Sequence, residues 1–272
     1  MITKKELTLW GISAAIAFVF ILLVLISNAL KVKDPQVKLR NAGAAQGRQM
    51  ARQAPPQAQI AAEQEWMSGS IYRVEPSVVC ICTTGTDVPG KGVQLCEVGT
   101  GVIIAANGVV LTSNLVVTGE PDIKVVVYEH SGLDGPSFEI GHNHIFDADI
   151  ISAFPAAGFA VLKIDQANLP VAKLGDSNAA QQGDFCLAIG SGYGKKPTVT
   201  SGVIEGMGQV DRINGRVYKN LIEMNCKSKS YFVGGPVIDD EGEVIGIIID
   251  KGYAIPSAIM IPALQSIGIM GF

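Results

Sequence analysis

Every histidine of this 272-residue chain (His130, His142 and His144) falls within one short polar stretch. In "GHNHIFDAD", His142 and His144 stand two apart, so on an extended segment both rings leave the same face. Asp147 and Asp149 follow closely, and His130 lies across "SGLDGPS", a Gly-rich stretch able to fold the chain back. Two imidazoles with a carboxylate or water suit a divalent transition metal such as Zn, Cu, Ni or Fe(II). The plainer reading is a solvated polar loop, because His-x-His by itself is a weak signal.

Cysteines 80, 82, 96, 186 and 226 are the other reactive set. Cys80 and Cys82 alternate along one apolar run and face the same side, and "TTGTDVPGKGVQL" returns the chain to Cys96. That arrangement favours a Cys82–Cys96 disulfide, with Cys80–Cys96 second and free buried thiols as the alternative. A thiolate metal site lacks an evident fourth ligand. Cys186, in "FCLAIG", reads as core, and Cys226 as a small buried residue.

The elements that position these groups read as β-strands. From Ser68 onward, short apolar runs are separated by Gly, Pro, Asn and Asp: "SVVCICTT", "GTGVIIA", "GVVLTS", "DIKVVVYE", "FAVLKID", "FCLAIGS", "VTSGVIEGM", "VYKNLIEMN" and "EVIGIIID". Such spacing predicts an all-β body of antiparallel barrels or a sandwich rather than βαβ units. The tail "PSAIMIPALQSIG" predicts a closing helix. A net charge of −4 without a dense Lys/Arg stripe gives no expectation of nucleic acid.

Ahead of this body, after a tail at 1–6, Leu7 to Leu30 is uncharged. At 1.5 Å per residue it spans roughly 36 Å as a helix, enough to cross a bilayer. It exceeds the usual apolar region of a cleaved signal peptide, so a transmembrane signal anchor at 7–30 is expected. Residues 31–66 read as a juxtamembrane linker in which "AQIAAEQEWM" could form a short helix. Lys31, Lys33, Lys38 and Arg40 outnumber Lys4 and Lys5, which by the positive-inside rule places the body in the cytoplasm. The disulfide reading argues the other way, for export.

The body resembles the HtrA/Deg group of trypsin-like serine proteases. The matching stretches are "GTGVIIAANGVVLTSNLVV", "FAVLKIDQANLPVAKLGDS", "GDFCLAIGSGYGKKPTVTSGVI", "GGPVIDDEGEVIGIII" and "YAIPSAIMIPAL", in the family's order. The resemblance implies a trypsin-like domain over 67–272 with two six-stranded β-barrels, a cleft between them and a C-terminal helix. The chain stops at that helix, without the PDZ domain many members carry. Where the family has its general-base histidine, "LTSNLVV" has Leu115; where it has the orienting aspartate, "GFAVLKI" has Gly158. The nucleophilic serine corresponds to Val233 in "YFVGGP", and Tyr231 and Phe232 replace the residues of the oxyanion loop. A triad needs a hydroxyl, an imidazole and a carboxylate, and none of these three residues supplies one.

The resemblance thus implies a catalytically degenerate member, a membrane-anchored pseudoprotease acting as scaffold, adaptor or partner of an active HtrA-like protease. Its body is expected on the periplasmic or organelle-lumenal side. The alternative is a metal-binding module using the histidine insertion, as in relatives linked to magnetosome biomineralisation; an active endopeptidase is the remote one. On the metal reading, calorimetry detects Zn, Cu or Ni binding that weakens below about pH 6 as the imidazoles protonate. His142→Ala/His144→Ala then abolishes binding and leaves the fold intact, whereas equal heats in both proteins leave the histidines as ordinary loop residues.

Overall fold

Alternate residues of a strand face opposite sides, so a strand apolar at every position must be covered on both. "VVLTS" and "FAVLKI" are of this kind, and both strands are buried almost throughout. A computed structural model of the chain, which describes residues 66–88, 92–120, 122–127, 145–192 and 196–269, shows what covers them. Among the described residues, the strands close into two barrels of six.

The first barrel comprises β1 (Val78–Val88), β2 (Gly92–Ala105), β3 (Val109–Ser113), β4 (Ile123–Val127), β5 (Ile145–Phe154) and β6 (Phe159–Ile164). They close in the order β1-β2-β3-β6-β5-β4. The second comprises β7 (Phe185–Gly190), β8 (Thr198–Ile213), β9 (Arg216–Met224), β10 (Pro236–Ile238), β11 (Val244–Asp250) and β12 (Tyr253–Pro256). Its order is β10-β11-β12-β9-β8-β7. Every pairing between these strands is antiparallel.

The period of two sorts the apolar residues into layers. Val110, Ala160, Leu162 and Ile164 pack with Val79, Ile81 and Ile103 in one cluster, the interior of the first barrel. Their alternates Val109, Leu111, Phe159 and Val161 pack instead with Leu187, Ile189, Leu221, Ile247, Ile249 and Ile255 of the second barrel. The second barrel's interior holds Cys186, Ala188, Ile204, Ile222, Phe232, Val237 and Ile248. Burying each large side chain of these layers contributes about 1.5–3 kcal/mol, so the contact between barrels is as much a core as either interior.

Between the barrels the chain is tied to both. Ala172 N–H donates to Ile103 O at 2.9 Å, Val244 N–H to Lys173 O at 2.8 Å and Gly175 N–H to Val244 O at 2.9 Å. The closing helix forms as expected, over Ser257–Ser266, with Met260 and Leu264 buried. Ser177 and Ser257 hold its start: Ser257 Oγ donates to Gly175 O at 2.7 Å, and Ala258 N–H donates to Ser177 Oγ at 3.0 Å.

One element was not foreseen and one reading needs correcting. Residues 66–74 are helical and lead into a 3₁₀ turn, Glu75–Ser77, ahead of the first strand. The residues before Trp66, including the expected anchor at 7–30, lie outside the described residues, among which no helix is long and apolar enough to cross a membrane. The stretch after His144 is not a polar loop. It is β5, paired with β4 and β6, and its exposed and half-buried residues lack the near-continuous burial of β3 and β6.

The opening helix docks on the turn between β10 and β11. Ser70 Oγ donates to Asp240 O at 3.2 Å, and an Arg73 guanidinium N–H donates to Glu241 O at 3.0 Å. Within that turn Asp239 accepts N–H bonds from Glu241 (3.0 Å) and Glu243 (2.9 Å). Burial nevertheless pushes its carboxyl up to about 6. A raised folded-state value stabilises the fold fully below the unfolded value near 3.8 and is lost as pH rises through 6. Asp239→Asn keeps an acceptor for both N–H groups without the buried charge. We expect the variant to be about 1–3 kcal/mol more stable relative to wild type at pH 7.5 than at pH 4, measured by urea unfolding. An identical difference at both pH values refutes the assignment.

Candidate functional site

Leu115 stands in the helical turn Asn114–Val117, which begins where β3 ends. Ser113 caps it: its Oγ accepts Leu115 N–H at 3.2 Å and donates to Gly158 O at 3.3 Å. Asn114 N–H also donates to Gly158 O, at 2.8 Å. Leu115 and Gly158, forty-three positions apart in sequence, are therefore neighbours at the seam between the barrels. Leu115 is half-buried against the inter-barrel layer.

Gly158 is a backbone requirement and a space requirement together. Its φ is +93°, a conformation that side chains with a β-carbon avoid. A β-carbon there would fall 2.7 Å from Ile249 Cδ1, 2.9 Å from Tyr218 Cε1 and 3.0 Å from Ile255 Cδ1. Apolar atoms of the second barrel thus close over Gly158 and leave no room for a side chain there.

Val233 follows the 3₁₀ turn Ser230–Phe232. The turn consumes the amides that follow it: Phe232 N–H donates to Lys229 O (3.0 Å) and Val233 N–H to Ser230 O (3.2 Å). Gly234 N–H donates to Ile248 O (2.7 Å) and Gly235 N–H to Phe232 O (2.8 Å). An oxyanion needs such donors aimed at an open position, and these are already bonded within the protein. Gly234, with φ +86°, lies against β3: a β-carbon would sit 2.2 Å from Thr112 Oγ1 and 3.1 Å from Ser113 N. Val233 is so brought beside the turn that carries Leu115. The three positions converge, and none supplies an acid, a base or a nucleophile.

Thr100 ties this corner together. Its N–H donates to Val233 O at 2.8 Å, and its hydroxyl donates to Tyr231 O at 2.5 Å while accepting Ser191 N–H at 2.8 Å. Thr112 Oγ1 donates to Thr100 O at 2.7 Å. Phe232 turns inward and is fully buried, its ring over Gly190, where a β-carbon would meet it at 2.5 Å. Tyr231 stays half-buried outside, its hydroxyl 3.3 Å from Thr198 Oγ1 and its ring beneath Lys229 Nζ at 5.6 Å. Nothing in the sequence singled out Thr100, a threonine in a strand rich in small residues.

The candidate metal ligands are only partly described. His130, His142 and His144 lie outside the described residues, which contain no histidine and no cluster of three or more His, Cys, Asp or Glu placed to hold a metal. Asp147 is on β5 opposite Lys124, and its carboxylate pairs with the Lys124 ammonium, which also binds Asp122 at 2.7 Å. That ammonium is the main cause holding the Asp122 carboxyl below its usual value. Asp149 is exposed, in register with Lys163.

The Cys82–Cys96 pairing is overturned. All five cysteines are unbridged, and register explains why: Cys96 is opposite Thr83, one residue along from Cys82, so the two side chains leave opposite faces. Cys82 is buried 3.5 Å from Cys80, while Cys96 is exposed. The Cys82 neighbour and burial both push the Cys80 thiol up.

This double barrel, with its seam of converging loops and closing helix, defines a class. Residues 99–247 match the trypsin-like peptidase domain, and the chain belongs to the HtrA/DegP-type trypsin-like serine protease family. It is 33% identical over 180 residues to the periplasmic serine endoprotease DegP of Salmonella typhimurium, covering 62% of this chain and 35% of that one. For DegP of Escherichia coli the values are 32% over 203 residues, 70% and 39%. The chain thus spans well under half the length of these relatives. Among solved structures, the HtrA-type protease AlgW with decapeptide aligns with a TM-score of 0.59 at 27% identity, over 75% of this chain and 68% of that one. Deg5 aligns at 0.58 and 26%, over 74% and 95%.

The packing around Gly158 gives a sharp expectation. Gly158→Asp forces a β-carbon into three apolar contacts at a positive φ and adds a buried carboxylate. It should cost about 3–5 kcal/mol in urea unfolding, and Gly158→Ala about 2–4. A change below about 0.5 kcal/mol for either would show that the seam is not packed as described.

Proposed function

We propose that this chain is a membrane-anchored HtrA-like protein without proteolytic chemistry, acting as a scaffold, adaptor or partner of an active homologue. The observation that carries the reading is the state of the turn at Val233. An isopropyl side chain stands at the position read as the nucleophile, and its amide is bonded back to Ser230 O. Acyl transfer needs a nucleophile, a base to take its proton and donors for the oxyanion. At Leu115, Gly158 and Val233 each requirement meets an apolar group, a packed glycine or a spent amide. What remains is a double barrel that, on this reading, holds an extended or unfolded segment without cutting it. The periplasmic location that DegP carries in its name supports an exported body behind an N-terminal anchor.

Incubating the full chain in mild detergent with denatured, fluorescein-labelled casein separates binding from cleavage. We expect anisotropy to rise while the casein stays intact on gels, and a fluorophosphonate probe to label nothing. Val233→Ser alone should remain unlabelled, since a serine without a base is barely nucleophilic. Cleavage blocked by the fluorophosphonate would overturn the reading in favour of an active endopeptidase.

A further inference from the structure

Two cysteines forty positions apart meet in the interior of the second barrel. Cys186 Sγ on β7 lies 3.7 Å from Cys226 Sγ, just past the end of β9, and both are buried. Gly202 makes the meeting possible. It is the register partner of Cys186, and a β-carbon there would fall 2.8 Å from Cys226 Sγ and 2.9 Å from Cys226 N. The chain leaving β9 therefore crosses over Gly202 and lays its thiol beside that of Cys186. Asn225 fixes the crossing from both sides, its N–H donating to Val203 O at 3.2 Å and its Oδ1 accepting Val203 N–H at 2.9 Å.

We propose that Cys186 and Cys226 are a disulfide-forming pair, oxidised by a low-molecular-weight or protein disulfide such as oxidised glutathione. One thiolate attacks a sulfur of the oxidant and expels one of its halves as a thiolate. The second cysteine then attacks the resulting mixed disulfide at the protein sulfur and expels the other half. Two electrons pass from the cysteines to the oxidant, whose halves leave as two thiols carrying the two thiol protons. The contact with Cys186 holds Cys226 below the usual thiol value, while Cys226 and burial push Cys186 up.

The pair Cys80 and Cys82, 3.5 Å apart, is the weaker candidate. They are neighbours on one strand, where residues two apart are about 6.6 Å from each other, near the upper limit for bridging. Bridging them would close only a minimal loop, whereas Cys186 to Cys226 closes forty residues and restricts the unfolded chain far more. The bond would also anchor to β7 the segment that runs from Cys226 to Val233, holding Phe232 in the barrel.

The test equilibrates the full chain in glutathione buffers of increasing oxidation. It is then denatured with a maleimide present, digested and weighed. The expected product is a cross-linked pair of peptides bearing Cys186 and Cys226, two hydrogens lighter than their sum, with Cys80, Cys82 and Cys96 alkylated. Reduction should lower the melting temperature by about 5–10 °C in wild type and in Cys80→Ser/Cys82→Ser, but not in Cys226→Ala. Alkylation of both Cys186 and Cys226 at the most oxidising ratio overturns the proposal, as does a cross-link confined to the other three cysteines.

Discussion

The architecture depends on one buried hydrogen-bond junction, at Thr100. Its N–H, C=O and hydroxyl are all engaged, reaching Val233 and Tyr231 in the turn before β10, Ser191 beyond β7 and Thr112 on β3. A buried polar group left without a partner costs about 1–3 kcal/mol, so these groups hold one another in place. The junction also sets a distance. Gly234 approaches so closely that a β-carbon would lie 2.1 Å from Thr100 O, and only glycine at positive φ can stand there. The conformation of the turn at Val233 follows from that approach.

Around the junction, the strands are apolar on both faces because each must serve two layers. β3 and β6 give alternate residues to the first barrel's interior and to the layer between barrels. Gly158 packs directly against that layer. Ile249, Tyr218 and Ile255 close over it, so the seam is held there by hydrophobic packing.

Much of this was legible in the residues. The strands rich in Val and Ile announced themselves as short apolar runs bounded by turn residues. β5 did not, because it exposes Ile150 and Ile151 and carries Asp147 and Asp149 outward, so its pattern resembles a polar loop. The helix at 66–74 was missed because "MSGSIY" lacks the spacing and the strong helix formers that mark one. Cysteine pairing failed for a different reason. A loop joining Cys82 to Cys96 measures proximity along the chain, while a disulfide depends on which face each side chain takes.

By itself, the sequence determined which groups are available: Leu115, Gly158 and Val233 at the positions of the family motifs, every histidine in one insertion, and a β-rich body closed by a helix. These are properties of composition and short-range order, which the chain carries in any conformation. Only the tertiary structure decided which groups meet. It bonded the Val233 amide to Ser230, closed apolar side chains over Gly158, turned Cys82 away from Cys96 and brought Cys186 beside Cys226. Each of these depends on strand register and barrel closure, and register is set by the sum of all pairings in a barrel rather than by any local stretch.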